Sequence, residues 1–266
     1  MDPRLFAKLH EIEATHWWFR GRRKIVGAVL DRLAIQPRVI LDVGCGVGTN
    51  LDLLAERHPD ARLHGIDVER DPLRFCLGDR AVPVCQADAA QLPFASGSFD
   101  LVCALDTLEH VEDDGAALRE LRRVLNAGGT LLLTVPAFPA LWGNVDELGD
   151  HFRRYRRREL LEKLAAAGLR LRLVRFVNVL LFPPIAAIRL LARIMPGRRS
   201  QPGAEVRSDF DLVRSGPLNS LLAGIFASEA RWLDWKLPFG VSLLCVVSRE
   251  AERAEVSRTP AFAAEA

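Results

Sequence analysis

Val39-Ile40-Leu41-Asp42-Val43-Gly44-Cys45-Gly46-Val47-Gly48 is the stretch that decides the fold. Five residues, apolar on both faces but for Asp42, run into three glycines at alternate positions, and Asn50 to Arg57 then reads as a helix. A strand that is apolar on both faces belongs in a parallel sheet covered on both sides. The same rhythm continues outward. Ala61 to Ile66 is a second strand ending at Asp67, Val82 to Gln86 a third ending near Asp88, and Phe99 to Leu105 a fourth. Ala116 to Leu125 reads as a helix closed by Asn126-Ala127-Gly128-Gly129, a helix C-cap signal, and Thr130 to Val135 as a fifth strand stopped by Pro136. Arg157 to Ala167 is a helix before a sixth strand, Leu169 to Val177, and Val241 to Val247 is a seventh. Strands alternating with helices define an α/β doubly wound domain.

Around this core the sequence divides into 1–34, N-terminal cap helices (4–14 and 21–34, parted at Gly21); 35–178, the core; 179–238, a helical insertion; 239–249, the last core strand; and 250–266, a frayed tail. The insertion holds an apolar helix with Pro183-Pro184 near its start, a polar linker over 196–217 and a helix over 218–236. With 266 residues, 49% apolar and 26% charged, the chain has ordinary globular composition, which excludes wholesale disorder, a collagen or a polytopic membrane protein. The five cysteines never form a C-x-x-C pair and read as free thiols of a reducing compartment. No metal-binding spacing stands out. Met1-Asp2-Pro3-Arg4 carries no signal-peptide pattern, and the apolar run Phe176 to Ile188 is too short to span a bilayer. The expected location is cytoplasmic, with peripheral contact at the inner membrane face left open.

The glycine loop points to a ligand. A dinucleotide fingerprint would place glycine at 49, where Thr49 stands, so the pattern is D-x-G-x-G-x-G. Glycines let backbone approach a ligand without Cβ clashes, and the helix N-terminus behind them suits a carboxylate or phosphate. Asp42 suits an ammonium or bound water. Asp67 falls where a carboxylate accepts from both ribose hydroxyls, and Asp88 could accept from an adenine amino group. Each acid alone could be a cap or turn residue; three at successive strand ends, with the glycine loop, converge on one ligand.

These stretches, with Ala87-Asp88-Ala89-x-x-Leu92-Pro93-Phe94 and Phe99-Asp100…Leu108-Glu109-His110-Val111, resemble the ordered motifs of class I S-adenosylmethionine-dependent methyltransferases, above all the small-molecule "type 11" group. The resemblance covers about residues 35–177 and the last strand. It implies a mostly parallel seven-stranded sheet with its last strand reversed. It also implies S-adenosyl-L-methionine as cofactor, with Gly44, Gly46 and Gly48 cradling the methionine part, Asp42 beside them, Asp67 on the ribose, and Asp88, Ala89 and Leu105 about the adenine. The N/D/S-P-P-aromatic motif of nucleic-acid amino-methyltransferases is missing at Leu105-Asp106-Thr107-Leu108, and no Pro-Cys nucleophile follows strand four. A small-molecule acceptor and no nucleic acid are therefore expected.

Transfer from a sulfonium needs alignment, exclusion of water and, for a hydroxyl, a base. His110 after strand four and His151 in Asp150-His151-Phe152-Arg153 are the candidate catalytic residues, and either can equally be structural. His16 and Trp17, in His16-Trp17-Trp18-Phe19-Arg20, with Arg153 and Tyr155, are the candidate acceptor contacts; the aromatic cluster can also be simple packing. The insertion leaves the ligand edge of the sheet, where it could form a lid or an interfacial helix on anionic lipid. Ile185, Ile188, Ala192 and Met195 fall on one helical face, with Arg189 and Arg193 on another. The Leu108-Glu109-His110-Val111 stretch also resembles ubiquinone-pathway O-methyltransferases, whose substrates are prenylated and membrane-held. Net charge is only +2, yet residues 151–199 carry +11 and the rest −9, a placement suggesting an anionic acceptor or membrane. The expected activity is O-methylation of a small acceptor, lipid-linked or anionic. The alternatives are a nicotinamide-dependent oxidoreductase and a non-catalytic cofactor-binding or membrane-surface protein.

Overall fold

Seven strands form one sheet in the order β3-β2-β1-β4-β5-β7-β6 in the computed structural model, which describes residues 12–76, 82–194 and 215–250. β1 (Val39–Val43), β2 (Arg62–Asp67), β3 (Val84–Gln86), β4 (Phe99–Leu105) and β5 (Leu125–Pro136) run parallel. β7 (Ser242–Arg249) inserts antiparallel between β5 and β6 (Leu169–Val177). β6 therefore points the same way as the first five strands. The fold is the expected mostly parallel, doubly wound sheet with its last strand reversed.

The helices cover both faces, as the doubly apolar strands require. On one face α1 (Trp17–Leu33) and α2 (Thr49–Arg57) bury Ile25, Val26, Val29, Leu51 and Leu54 against Ile40, Leu101, Cys103 and Leu132. α3 (Arg70–Cys76) follows β2. On the other, α4 (Asp114–Val124) and α6 (Arg157–Ala166) bury Leu118, Leu121, Leu160 and Leu164 against Leu41, Val102, Leu131 and Leu133. α5 (Asn144–Leu148) is a single turn and a half after β5; α7 (Phe182–Ile194) and α8 (Gly216–Ser228) form the described part of the insertion. Each buried Leu or Ile contributes about 1.5–3 kcal/mol, so these two layers are the main source of stability.

Three local expectations are corrected. The N-terminal helices part at His16 and not at Gly21: residues 12–15 are helical, His16 Nδ1 accepts from Trp18 N at 3.2 Å, and α1 runs unbroken through Gly21. Gly21 is needed for packing. A Cβ there would lie 2.3 Å from the Phe226 ring of α8, which packs along α1. Second, Asn126-Ala127-Gly128-Gly129 is not a C-cap loop. α4 ends at Val124, and Leu125, fully buried, already pairs with Phe99 at the start of β5. Gly128 keeps the positive φ (85°) that the cap signal predicted, now inside an irregular strand start. Third, the helix over 218–236 is shorter: α8 ends at Ser228 and a 3-10 turn, Glu229–Trp232, follows. The helix expected over 4–11, most of the 196–217 linker and the tail after Glu250 lie outside the described residues.

Of the five cysteines, Cys45, Cys76, Cys103 and Cys245 are buried and Cys85 is exposed. Among the described residues no helix is long and apolar enough to cross a membrane. Gly21→Ala is expected to cost about 2 kcal/mol, because the added methyl drives into a packed ring. It should appear as a lowered urea midpoint with unchanged slope; an unchanged midpoint would contradict this packing.

Candidate functional site

The carboxyl ends of β1, β2, β3, β4 and β5 share one edge of the sheet, and a cavity of about 710 Å³ opens there. That volume is within the usual range for ligand sites. Its wall divides along the strand order: the ends of β1–β3 supply one side, and the segments after β4 and β5, α1 and α7 supply the other.

On the first side the glycine loop makes a cradle. Gly44 (φ 73°) and Gly46 (φ 53°) hold the left-handed backbone that glycine allows. At Gly44 a Cβ would stand 2.5 Å from Thr107 Oγ1, which donates to Val43 O at 2.9 Å. Most amides of the loop are turned inward. Gly44 and Cys45 donate to Ile66 O, Gly46 donates to Asp67 Oδ2 at 2.9 Å and Gly48 donates to Cys45 O. The loop's contribution to a ligand is close approach of backbone, more than the free amide donors read from the sequence. Asp67, pinned also by Glu69 N on Oδ1 at 2.9 Å, is half-buried in the wall. Burial raises its pKa, and the Glu69 and Gly46 amides pull the other way. Asp88 (Oδ1 accepting from Ala90 N at 2.8 Å), Ala89 and Leu105 complete this side.

Two of the expected ligand residues, Gly48 and Asp42, are not in the cavity wall. Gly48 (φ 87°) is the N-cap of α2 and is not part of the wall. Asp42 is fully buried behind the loop. It lies two residues after Ile40, so it shares that residue's face of the sheet, under α1. Neither carboxylate oxygen has a hydrogen-bond partner among the described residues. Burial pushes its pKa well up, and the charge of Arg22 works against that.

Arg22 organises the second side. Its guanidinium forms a buried ion pair with Asp106 and reaches Asn50 Oδ1 at 3.5 Å, joining α1, the end of β4 and α2. Asp106, in left-handed backbone (φ 54°), also accepts from Thr134 Oγ1 at 2.9 Å. A 3-10 turn, Leu108–His110, then places Glu109 and His110 at the cavity. His151 meets them from the segment between α5 and α6: the His110 and His151 rings stand edge to face, centroids 4.5 Å apart. Both predicted catalytic histidines therefore line the same wall. Although His110 is exposed as a residue, the atoms crowded round its ring desolvate the charged form and, with the neighbouring His151, lower its pKa to about 4. His151 Nδ1 is held at 2.9 Å by Asp146, a fully buried carboxylate that also takes Arg154 Nε at 2.7 Å and Gly143 N at 2.8 Å. Burial alone would raise the Asp146 pKa, but hydrogen bonds from His151 and Arg154 hold it below the ordinary value.

Of the four acceptor candidates only Trp17 lines the cavity. His16 is fully buried and caps α1. Tyr155 is 1% exposed; its hydroxyl donates to Asp114 Oδ2 at 2.9 Å and approaches Leu108 O at 3.2 Å. Arg153 pairs with Asp114 at 3.2 Å. Asp114, buried and also bound by Lys163 Nζ at 2.7 Å, draws these residues away from the site. Part of the basic segment is paired at the surface: Arg158 meets Glu162, and Arg170 meets Glu250. In α7, Ile185 and Arg189 line the cavity, whereas Ile188 is 57% exposed, so the expected apolar face is not wholly buried. Met195, Arg198 and Arg199 lie outside the described residues, as do the side chains of Ala192 and Arg193.

Arg22, Asp106, Glu109 and Asp146 escaped the sequence reading. Glu109 and Asp106 stand within the quoted motif beside His110, so spacing could have found them; Arg22 and Asp146 carry no local signal.

Residues 41–133 match the family of the methyltransferase domain. The malonyl-[acyl-carrier protein] O-methyltransferase of Hahella chejuensis is 34% identical over 169 residues, 59% of this chain and 60% of that one. The chain spans between 36% and 60% of the length of the first curated relatives it matches. Among solved structures, a chain of the complex between the Haloferax volcanii Trm112 methyltransferase activator and a methyltransferase superposes with a TM-score of 0.61 at 18% identity, over 94% of this chain and 96% of that one. Phosphoethanolamine N-methyltransferase 2 of Haemonchus contortus, in complex with S-adenosyl-L-methionine, gives 0.53 at 18% identity, over 85% and 52%. Family match, motif order and strand order together define the class: the chain carries a class I S-adenosylmethionine-dependent methyltransferase domain.

Two substitutions test the geometry. Arg22→Ala removes the charged partner of the half-buried Asp106, which keeps the Thr134 hydroxyl, and should cost about 2 kcal/mol in chemical denaturation. Tyr155→Phe should cost about 1 kcal/mol and leave the affinity for S-adenosylhomocysteine unchanged in calorimetry; a loss of affinity would return Tyr155 to the site.

Proposed function

We propose that this protein is an S-adenosyl-L-methionine-dependent O-methyltransferase acting on a hydroxyl of a small, predominantly apolar acceptor. The observation that carries the reading is one continuous cavity with a glycine cradle and Asp67 on one side and the His110–His151 pair on the other. The cradle fits the cofactor: Gly44 and Gly46 present left-handed backbone without side chains to the cavity, and the Asp67 carboxylate is held by two amides with lone pairs left to accept from ribose hydroxyls. When bound, the cofactor supplies an activated methyl group on a sulfonium. The protein aligns the acceptor, shields the site from water and disposes of the hydroxyl proton.

Wall chemistry favours the acceptor class. Trp17, Trp18, Phe19, Phe152 and Ile185 give the second side an aromatic and aliphatic lining. Charged wall residues are mainly acidic: Asp67, Glu69, Asp88, Asp106, Glu109 and Asp150, with Glu13 and Glu112, against Arg22, Arg154 and Arg189. Such a wall favours a sulfonium and disfavours a strongly anionic acceptor, so the positive charge of residues 151–199 does not carry over to the cavity. The relatives named as malonyl-[acyl-carrier protein] O-methyltransferases support oxygen as the methylated atom. Ile185 and Arg189 on α7 make the insertion part of the acceptor pocket, and a lipid-linked acceptor suits the exposed Ile188, Leu190 and Leu191 beside it.

Calorimetry with S-adenosylhomocysteine should show one site per chain. Asp67→Ala is expected to weaken it about 10- to 100-fold, the loss of charge-assisted hydrogen bonds worth about 1.5–3 kcal/mol. Labelled methyl should pass from S-adenosylmethionine to an apolar alcohol or phenol as an O-methyl ether. Absence of binding by the unaltered protein would overturn the assignment.

A further inference from the structure

Glu109, His110 and His151 offer one ligand atom each, all within 4.8 Å of one another, at the wall of the cavity. From these positions we infer a binding site for a divalent first-row transition-metal ion, coordinated by the Glu109 carboxylate and one nitrogen of each imidazole, with open positions toward the cavity.

Four features support it. The first is donor chemistry. Two imidazoles and a carboxylate suit borderline ions such as Zn²⁺, Co²⁺ or Fe²⁺, and not Mg²⁺, which demands oxygen ligands. Three protein ligands with an open position are also the pattern of catalytic sites, structural ones being closed by four. The second is an unexplained buried group. Glu109 is 1% exposed, and its Oε2 has no hydrogen-bond partner among the described residues. A buried carboxylate oxygen without a partner is costly, and a cation between it and the two rings would remove that cost.

The third is orientation. Asp146 binds His151 Nδ1 at 2.9 Å, leaving Nε2 for a ligand bond. A carboxylate on the far nitrogen of a metal-binding histidine is the usual outer-shell arrangement and fixes the ring. Asp146 is itself locked by Arg154 and the Gly143 amide. The fourth is the framework: Phe152 N donates to Glu109 O at 2.7 Å, so the two ligand-bearing segments are joined directly through their backbones. Ligand atoms around one ion at about 2.1 Å stand roughly 3.4 Å apart. The set must close by about an ångström to hold an ion.

The metal site stands on its own geometry. Its role, holding the acceptor's oxygen beside the cofactor, rests on the O-methyltransferase reading above.

The test is titration of the chelator-stripped full chain with Zn²⁺ in calorimetry and with Co²⁺ in visible spectroscopy. One ion per chain is expected, with Co²⁺ d–d bands free of the thiolate charge transfer that cysteine ligands would produce. His110→Ala truncates an exposed ring, so folding should be unaffected, and Glu109→Gln keeps the shape of a buried side chain. Each should weaken Zn²⁺ binding by at least about 10-fold, the lower bound even for outer-shell changes, while S-adenosylhomocysteine still binds. No binding to the unaltered chain, a thiolate spectrum, or full affinity in both variants would overturn the site. Failure to bind S-adenosylhomocysteine would overturn the methyltransferase reading alone, since the metal titration needs no cofactor.

Discussion

The close approach of two chain reversals at Gly44 and Thr107 is the constraint on which the rest of this structure depends. β1 and β4 are neighbours at the centre of the sheet, and the segments after them leave the same edge. Thr107 Oγ1 binds Val43 O, and its side chain occupies the space into which a Cβ at position 44 would project. Only glycine satisfies both the left-handed φ and that contact. Because the loop can close there, β1 delivers a backbone cradle, and β4 delivers Asp106, Glu109 and His110 to the same cavity. Ligand sites in open parallel sheets form at this kind of switch point for the same geometric reason.

Two buried ionic centres then close the cavity. Arg22 ties α1 to Asp106 and Asn50, so that the aromatic residues Trp17, Trp18 and Phe19 become a wall. Asp146 gathers His151, Arg154 and the Gly143 amide, and Arg189 of α7 stands 3.9 Å away. Buried charges are tolerable only when paired and hydrogen-bonded, and removing one partner is expensive. Each centre therefore specifies one arrangement of its segments more than it adds net stability. The second centre also sets the orientation of His151, and with it the character of the acceptor side.

The fold was legible because its signals are local. Alternation of doubly apolar strands with helices produced the strand sequence, the family resemblance implied the reversed last strand, and β4 and β6 were read to the residue. Errors fell where tertiary packing overrides a local preference. Gly21 reads as a break, yet it is the residue that admits Phe226 between helices. Gly128 and Gly129 read as a cap, yet Leu125 gains more from burial against Phe99 than from remaining in a helix end. At the cavity, Asp67, Asp88, Ala89 and Leu105 line the wall because strand ends place them there. His16, Arg153 and Tyr155 do not line it, because proximity along the chain to such a segment does not say which way a side chain faces.

By itself, then, the sequence determined the doubly wound class, the glycine cradle, the acids at the strand ends and the two histidines. All of these follow from periodicity and from residues adjacent to a strand end. Only the tertiary structure decided the partnerships: Arg22 with Asp106, Asp146 with His151, Asp114 with Tyr155 and Lys163, and Glu109 beside both histidines. Whether a charged or polar side chain serves the site or the scaffold depends on what long-range packing brings against it. Burial makes an unpaired group costly, and the partner that relieves the cost lies in another segment of the chain.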